Sequence, residues 1–330
     1  MLKKCSITLV ALFLCACSPF TCKSSVTKSG LFYDTVVTVE LFGSDRKTLE
    51  SVANDCIEIC DHYQKLFDPN IETSDISRIN DSKGLTVNVD HDTAVMISDA
   101  LRYSDISDGK FDITIAPVSS LWDWHEQSYR IPSDDELSKA CSLVNYRNVS
   151  VDTKNDTVTL ASPGMSIDPG ASAKGFIADT IADHLKKCSI TGAIVNMGGD
   201  MYLIGRKNDN SLYNIGINDP DGEGCLMSLY LSDCAVATSG TYERCFTKDG
   251  IFYHHILDPS TGKSAKTDIK SVTVISKSSL DCDCLCTVSI LLGSEKSKDL
   301  IESLPDTEAV MLLNDGSIVK TSKADRYIRQ

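Results

Sequence analysis

The sequence predicts an α+β domain, and three observations carry that class. Hydrophobic residues make up 42% of the chain and charged residues 24%, which is globular composition. Strand and helix patterns are mixed, without the strict βαβ alternation of a parallel sheet. After residue 30 there is no internal repeat and no linker rich in Pro, Gly or Ser. At 330 residues the chain suits one large domain or two ordinary ones and needs no disulfide staples to fold.

The elements follow in order. Tyr33 to Phe42 is β-rich with partial alternation, bounded by Gly30 and Gly43. Leu49 to Phe67 spaces Val52, Cys56, Ile59, Tyr63 and Leu66 as one helical face, and Asp68-Pro69-Asn70 ends it. Thr93 to Ile106 reads as a second helix, stopped at Asp108-Gly109. Short strands flank the turn Lys154-Asn155-Asp156 between Val149 and Leu160. Met165 to Ile167 is a strand leading into a Gly-rich turn, and Ala173 to Lys187 is a third helix. Ala193–Asn196, Tyr202–Gly205, Asn214–Ile217, Met227–Ser232, Phe252–Leu257 and Val272–Ile275 read as strands. Cys282 to Leu292 is a helix and Ala309 to Leu313 a strand.

The net charge of −14 makes a nucleic-acid partner a poor fit, because such binding rests on Lys and Arg neutralising phosphates. It leaves room for an anionic substrate held locally by a metal, a lysine or a helix start. Fourteen cysteines show no zinc-finger CxxC spacing. Buried thiols are the simplest reading of them.

The first residues read as a targeting segment. Lys3 and Lys4 precede an apolar run from Ile7 to Ala16, too short to span about 30 Å of hydrocarbon as a helix. Leu14-Cys15-Ala16-Cys17 resembles a bacterial lipobox, with Cys17 as the lipidated residue. The reading is a lipoprotein signal over 1–16, a polar tether over 17–29 and one domain over 30–330. An ordinary secretory signal is the alternative.

Three segments carry candidate chemistry. In Ser166 to Gly175 (SIDPGASAKG) a strand ends, Gly170 permits a tight turn and a helix starts. Free N–H groups at a helix start attract phosphate. Lys174 sits in the first turn, where the helix dipole disfavours a cation, so an anion beside it would account for its place. This is no Walker loop, since Lys174 precedes Gly175, and a plain strand-to-helix connection stays open. In the second segment, Asp283 and Thr287 are spaced i, i+4, so a helix puts both oxygens on one face. With a backbone carbonyl they make a hard oxygen set suited to Mg²⁺; a capping carboxylate with an inward threonine is the alternative. In the third, His254 and His255 are adjacent, and on a strand only one can enter a given site. A histidine near a phosphate is a candidate base at neutral pH.

Together these segments resemble one family. Ser107 to Thr114 (SDGKFDIT), Asp168 to Gly175, Asn196 to Asp200 (NMGGD), Thr238-Ser239-Gly240, His255 to Pro259 with Thr261-Gly262, and Asp283 with Thr287 occur in the order seen in the ApbE family, the FAD:protein FMN transferases. The resemblance covers about residues 30 to 320 and agrees with the lipobox. It implies mixed, mainly antiparallel sheets with packed helices. It implies that Lys110, Phe111, Asp112, Asp168 and Lys174 contact FAD. Ile256 would touch the flavin nucleotide, and Tyr33 would contact FAD, since Tyr33-Asp34-Thr35 stands where the family has Met-Gly-Thr near its first strand. Ala171 through its carbonyl, Asp283 and Thr287 would hold Mg²⁺, and His255 would be the catalytic base. Pro169 departs from the family's Leu and lacks an N–H to offer phosphate.

The implied activity is Mg²⁺-dependent transfer of FMN from FAD to a Ser or Thr hydroxyl of an acceptor protein, releasing AMP. The implied location is outside a bacterial cytoplasm, lipid-anchored to a membrane. If water attacks instead, the same parts make an FAD pyrophosphatase giving FMN and AMP. A third reading is a lipoprotein that carries FAD without chemistry, against which the intact ligand and His positions argue.

Overall fold

The computed structural model describes residues 23–125, 128–222 and 224–328. The expected signal over 1–16 and the lipidation at Cys17 lie outside those residues.

The chain opens with a hairpin of β1 (Ser24–Phe32) and β2 (Thr35–Gly43), joined by Tyr33 at φ 51° and Asp34 at φ 57°. Two successive left-handed residues match the twist of the flanking strands. Residues 24–29 therefore correct the expected tether: they form an edge strand. Only Val26 of β1 is buried, so its sequence lacks a hydrophobic face to announce it. Next comes α1 (Arg46–Phe67), whose N-cap Asp45 accepts from the Lys47 and Thr48 amides. It buries Leu49, Val52, Ala53, Cys56, Cys60, Tyr63 and Phe67 as one stripe.

A small lobe follows. It contains α2 (Asp75–Asn80), β3 (Val87–Asn88), α3 (His91–Ile106), α4 (Ala116–Ser119), α5 (Asp134–Cys141), β4 (Val149–Asp152) and β5 (Thr157–Leu160). The three strands pair in the order β3-β5-β4. Ser133 and Glu136 close a capping box at the start of α5. The expected strand over 165–167 is reduced to one bridge, Ser166 with Ile115.

Then come α6 (Ala173–Leu185), β6 (Gly192–Met197), β7 (Asp200–Gly205), β8 (Tyr213–Asn218), β9 (Cys225–Leu231) and β10 (Cys234–Gly240). The chain finishes through β11 (Cys245–Lys248), β12 (Ile251–His254), β13 (Ile269–Ser276), α7 (Ser279–Leu292), α8 (Ser294–Ser303), β14 (Glu308–Leu313) and β15 (Ile318–Lys320). One antiparallel sheet runs β1-β2-β6-β7-β10-β13-β14-β15.

Period-2 alternation divides that sheet's side chains between two cores. Val37, Val39, Ala237, Val274 and Met311 face α1, α6 and α7. Phe42, Val236, Ile275 and Val310 face the β8–β9 hairpin through Tyr213 and Leu229. The β11–β12 hairpin is a separate two-stranded sheet. It joins the small lobe through aromatic packing of Phe246 and Tyr253 on Trp122, Trp124 and Tyr129. Ten described cysteines are free thiols.

Candidate active site

α6 and α7 meet in backbone contact. A Cβ on Gly175 would lie 2.6 Å from both Leu280 Cα and the Ser279 carbonyl oxygen, closer than backbone atoms tolerate. This contact brings the first turn of α6 against Asp283 of α7. Gly175 N–H donates to Asp283 Oδ2 at 3.2 Å. Lys174 Nζ lies 2.9 Å from Asp200 Oδ2 and 3.3 Å from Asp283 Oδ2, although the three residues stand far apart in sequence. The Asp200 and Asp283 side chains are only 9% and 6% exposed.

Two buried carboxylates thus share one ammonium, leaving negative charge uncompensated in low dielectric. Burial pushes Asp283 up to about 6, with Lys174 opposing and Asp200 reinforcing the shift. Burial disfavours the Lys174 ammonium, but Asp200 and Asp283 outweigh it and hold its pKa above the ordinary lysine value. A further cation beside Asp283 would relieve the imbalance.

The oxygens near Asp283 fit a hard divalent ion. Among the described residues, the Ala171 carbonyl receives a weak donor, the Cys284 thiol at 3.3 Å. Thr287 follows Asp283 by one turn of α7 and is half-buried. Carboxylate, carbonyl and hydroxyl oxygens suit Mg²⁺, which fills its remaining positions with water or substrate oxygens. Among the described residues no group of three His, Cys, Asp or Glu could hold a metal, so any ion here depends on the carbonyl and the hydroxyl.

His255 approaches from the other side of the chain. β12 ends at His254, and His255 lies just beyond it, its N–H donating to the Arg244 carbonyl at 3.0 Å. His254 is buried, and its Nε2 lies 3.0 Å from the Ala265 carbonyl oxygen. His255 Nδ1 is buried with no partner among the described residues. Burial first, then Arg244, His254 and Lys174, lowers the His255 pKa to about 4. The imidazole is therefore neutral at pH 7.

The remaining expected residues are less uniform. Lys110 Nζ pairs with Asp258 Oδ2 at 3.1 Å, beside a cavity of about 850 Å³ whose wall includes Lys263 and Lys266. Phe111 is buried on Tyr103, and Asp112 accepts from the Thr114 amide and hydroxyl and the Tyr146 amide. Both side chains are committed to the interior. Asp168 shapes the loop before α6, accepting from Gly170 N–H at 2.9 Å and the Ser119 hydroxyl at 2.8 Å. Ile256 is buried in the main core. Tyr33 sits at the hairpin tip, its hydroxyl buried without a partner among the described residues. The free helix-start amides expected to meet phosphate are partly consumed: Ala173 N–H goes to the Pro169 carbonyl and Gly175 N–H to Asp283.

Sequence reasoning assigned no role to Asp200, the partner nearest Lys174. Its signal was the turn Gly198-Gly199, both at positive φ, which ends β6 and turns the chain into β7.

Comparison with known proteins agrees along most of the chain. The ApbE family profile matches residues 33–311. A Treponema pallidum (strain Nichols) protein named FAD:protein FMN transferase is 35% identical over 263 residues, 74% of this chain and 72% of that protein. A Klebsiella pneumoniae (strain 342) protein of the same name is 31% identical over 297 residues, 89% of this chain and 91% of its own. Among solved structures, the ApbE protein of Thermotoga maritima superposes with TM-score 0.82 at 30% identity, covering 93% of this chain and 100% of its own. The apo form of Pseudomonas stutzeri flavinyl transferase ApbE gives TM-score 0.82 at 27% identity, covering 93% and 97%.

Proposed function

Because the chain belongs to the ApbE family and shares its fold with flavin transferases, we propose that it transfers FMN from FAD to a Ser or Thr hydroxyl of an acceptor protein, with Mg²⁺, releasing AMP. The observation that carries the reading is the meeting of Lys174, Asp200 and Asp283 at the α6–α7 contact, with a neutral His255 within electrostatic reach of Lys174.

FAD joins FMN to AMP through a pyrophosphate. The Lys174 ammonium is fixed between Asp200 and Asp283, which outnumber it, so it would orient a pyrophosphate oxygen while net positive potential there would depend on an added cation. Asp283, Thr287 and the Ala171 carbonyl are the residues that would hold Mg²⁺. When bound there, the ion neutralises pyrophosphate charge and makes AMP a better leaving group. His255 accepts the proton of the acceptor hydroxyl. That oxygen forms a bond to the FMN phosphorus as the bond from phosphorus to the AMP oxygen breaks, and the proton ends in solvent. In the free protein a pKa near 4 makes His255 a weak base. Entry of an anionic substrate offsets the Arg244 and Lys174 charges and moves its pKa towards the working range.

The test is incubation with FAD and Mg²⁺, with and without a candidate acceptor, followed by assay of AMP and protein-bound flavin. AMP together with covalent flavin on the acceptor supports transfer. AMP and free FMN at the same rate without acceptor supports hydrolysis. No AMP under any condition leaves only flavin binding.

Lipid anchoring through Cys17 belongs to the same proposal and rests on the lipobox-like Leu14-Cys15-Ala16-Cys17; no described helix is long and apolar enough to cross a membrane. Cys17→Ser should release the protein from the membrane fraction, because acyl chains supply the attachment. Retention of that variant would count against the anchor.

A further inference from the structure

The helix contact that carries the site is reciprocal. α6 gives its Gly175 N–H to Asp283 of α7. In return α7 gives the Ser279 N–H to Asp179 Oδ1 at 2.7 Å and the Leu280 N–H to Asp179 Oδ2 at 3.0 Å. The Ser278 hydroxyl also donates to Asp179 Oδ2, at 2.6 Å. Asp179 follows Gly175 by one turn of α6, so both point at the same neighbour. It takes up the first amides of α7, which have no acceptor inside their own helix. Asp179 is itself half-buried, and its three donors satisfy both oxygens.

We propose that Asp179 is the positioning residue of the metal centre: it clamps the start of α7 so that Asp283 and Thr287 present their oxygens at a fixed distance from Lys174 and the Ala171 carbonyl. The inference rests on the Mg²⁺ reading above. The path is short. The Asp283 N–H closes the helical bond to the Ser279 carbonyl, so a pinned Ser279 fixes the frame from which Asp283 projects. Thr287 projects one turn further on. The opposite side of this helix start is braced from α3, where the Tyr103 hydroxyl and Arg102 bond Asp281. Of the two braces, Asp179 alone stands on the helix that also carries Lys174. It therefore sets the spacing between the two.

The experiment compares wild type, Asp179→Asn and Asp283→Ala as full-length proteins. Mn²⁺ serves as the probe ion, read by electron paramagnetic resonance, and FAD binding without metal is read by flavin fluorescence. Asparagine keeps one acceptor oxygen and turns the other into a donor facing donors. The expected result is a folded Asp179→Asn protein whose Mn²⁺ affinity falls roughly tenfold, as for other groups that orient metal ligands. Its FAD affinity should stay at the wild-type level, which a general loss of structure would not allow. Asp179→Ala, which strands two amides, should weaken Mn²⁺ further if it folds. Unchanged Mn²⁺ affinity in Asp179→Asn, while Asp283→Ala loses binding, overturns the role of Asp179 and leaves the metal reading standing. Equal Mn²⁺ binding by wild type and Asp283→Ala overturns both.

Discussion

The α6–α7 contact and the β11–β12 hairpin contribute opposite halves of the site, and they are built differently. At the helix contact, charges are buried, every carboxylate has a partner and backbone meets backbone at Gly175. The hairpin has four residues per strand, is separate from the main sheet, and exposes Ile251 and Phe252. Its contribution, His255, has a buried nitrogen with no partner among the described residues. The contrast teaches a division of labour. On the proposed mechanism, the half that would meet the pyrophosphate is already tied together, while the half that would take a proton leaves His255 Nδ1 without a partner among the described residues.

That division can be broken by mutation. His255→Ala should lower the rate of flavin transfer by roughly 10²–10⁴-fold, the usual range for a lost general base, with little change in FAD affinity. Equal rates for variant and wild type would place the base elsewhere. On the helix side, Asp283→Ala should lower Mg²⁺-dependent AMP release by about 10²-fold or more, since it removes a proposed ligand rather than a group that orients one. Thr287→Val should show a milder form of the same loss. Measuring AMP release against Mg²⁺ concentration distinguishes weakened metal binding from lost turnover.

Stability sharpens the comparison. Gly175→Ala forces a methyl group into the backbone of α7 and should lower unfolding stability by about 1–3 kcal/mol, measured by denaturant titration. A neutral outcome would mean that the helices can separate without loss. The two histidines give a smaller and pH-dependent effect. Burial is the first cause lowering both, His255 to about 4, so the unfolded chain binds protons that the folded one does not. Stability should therefore fall as pH drops from about 6.5 towards 4, and that slope should shrink in His255→Ala. For catalysis, the acid limb should lie at higher pH in kcat than in kcat/KM at saturating Mg²⁺. On the proposed mechanism, a bound anionic substrate would raise the His255 pKa that the free protein depresses. The smallest effect is expected from His254→Ala: a turnover close to wild type, since that ring is occupied by the Ala265 carbonyl.

Regular elements with one dry face were legible in the sequence. The stripe of α1 and the short strands β6 to β9 follow from period alone. β1 was not legible because it is a solvated edge whose turn, Tyr33-Asp34, lacks a glycine. α5 carried a readable signal, Ser133 three residues before Glu136, which was passed over. Lys174, Asp283, Thr287 and His255 stand out in the sequence through their segments, and the structure brings Lys174 and Asp283 together. Asp200 has no signal of its own in the sequence beyond the Gly198-Gly199 turn before it, since its pairing with Lys174 exists only once β7 lies beside α6. Asp179 looks in sequence like any surface acid on a helix; only the approach of α7 gives it three donors. Phe111 and Asp112 mark the opposite limit. Their side chains are engaged in packing and loop hydrogen bonds beside Lys110, which the sequence pattern does not disclose.

The two-residue turn at Tyr33-Asp34 also sets a distance. It lies at the site end of the first hairpin, where Gly198, just before Asp200, packs so closely on Thr35 that a Cβ would sit 2.2 Å from the hydroxyl. Ser24 stands at the far end of the same nine-residue strand. At about 3.3 Å per residue that strand is a strut of roughly 30 Å. On the lipid-anchor proposal, the site would stand about one strand length, roughly 30 Å, from Ser24, and lengthening or shortening that hairpin would change which membrane-held acceptors could meet it.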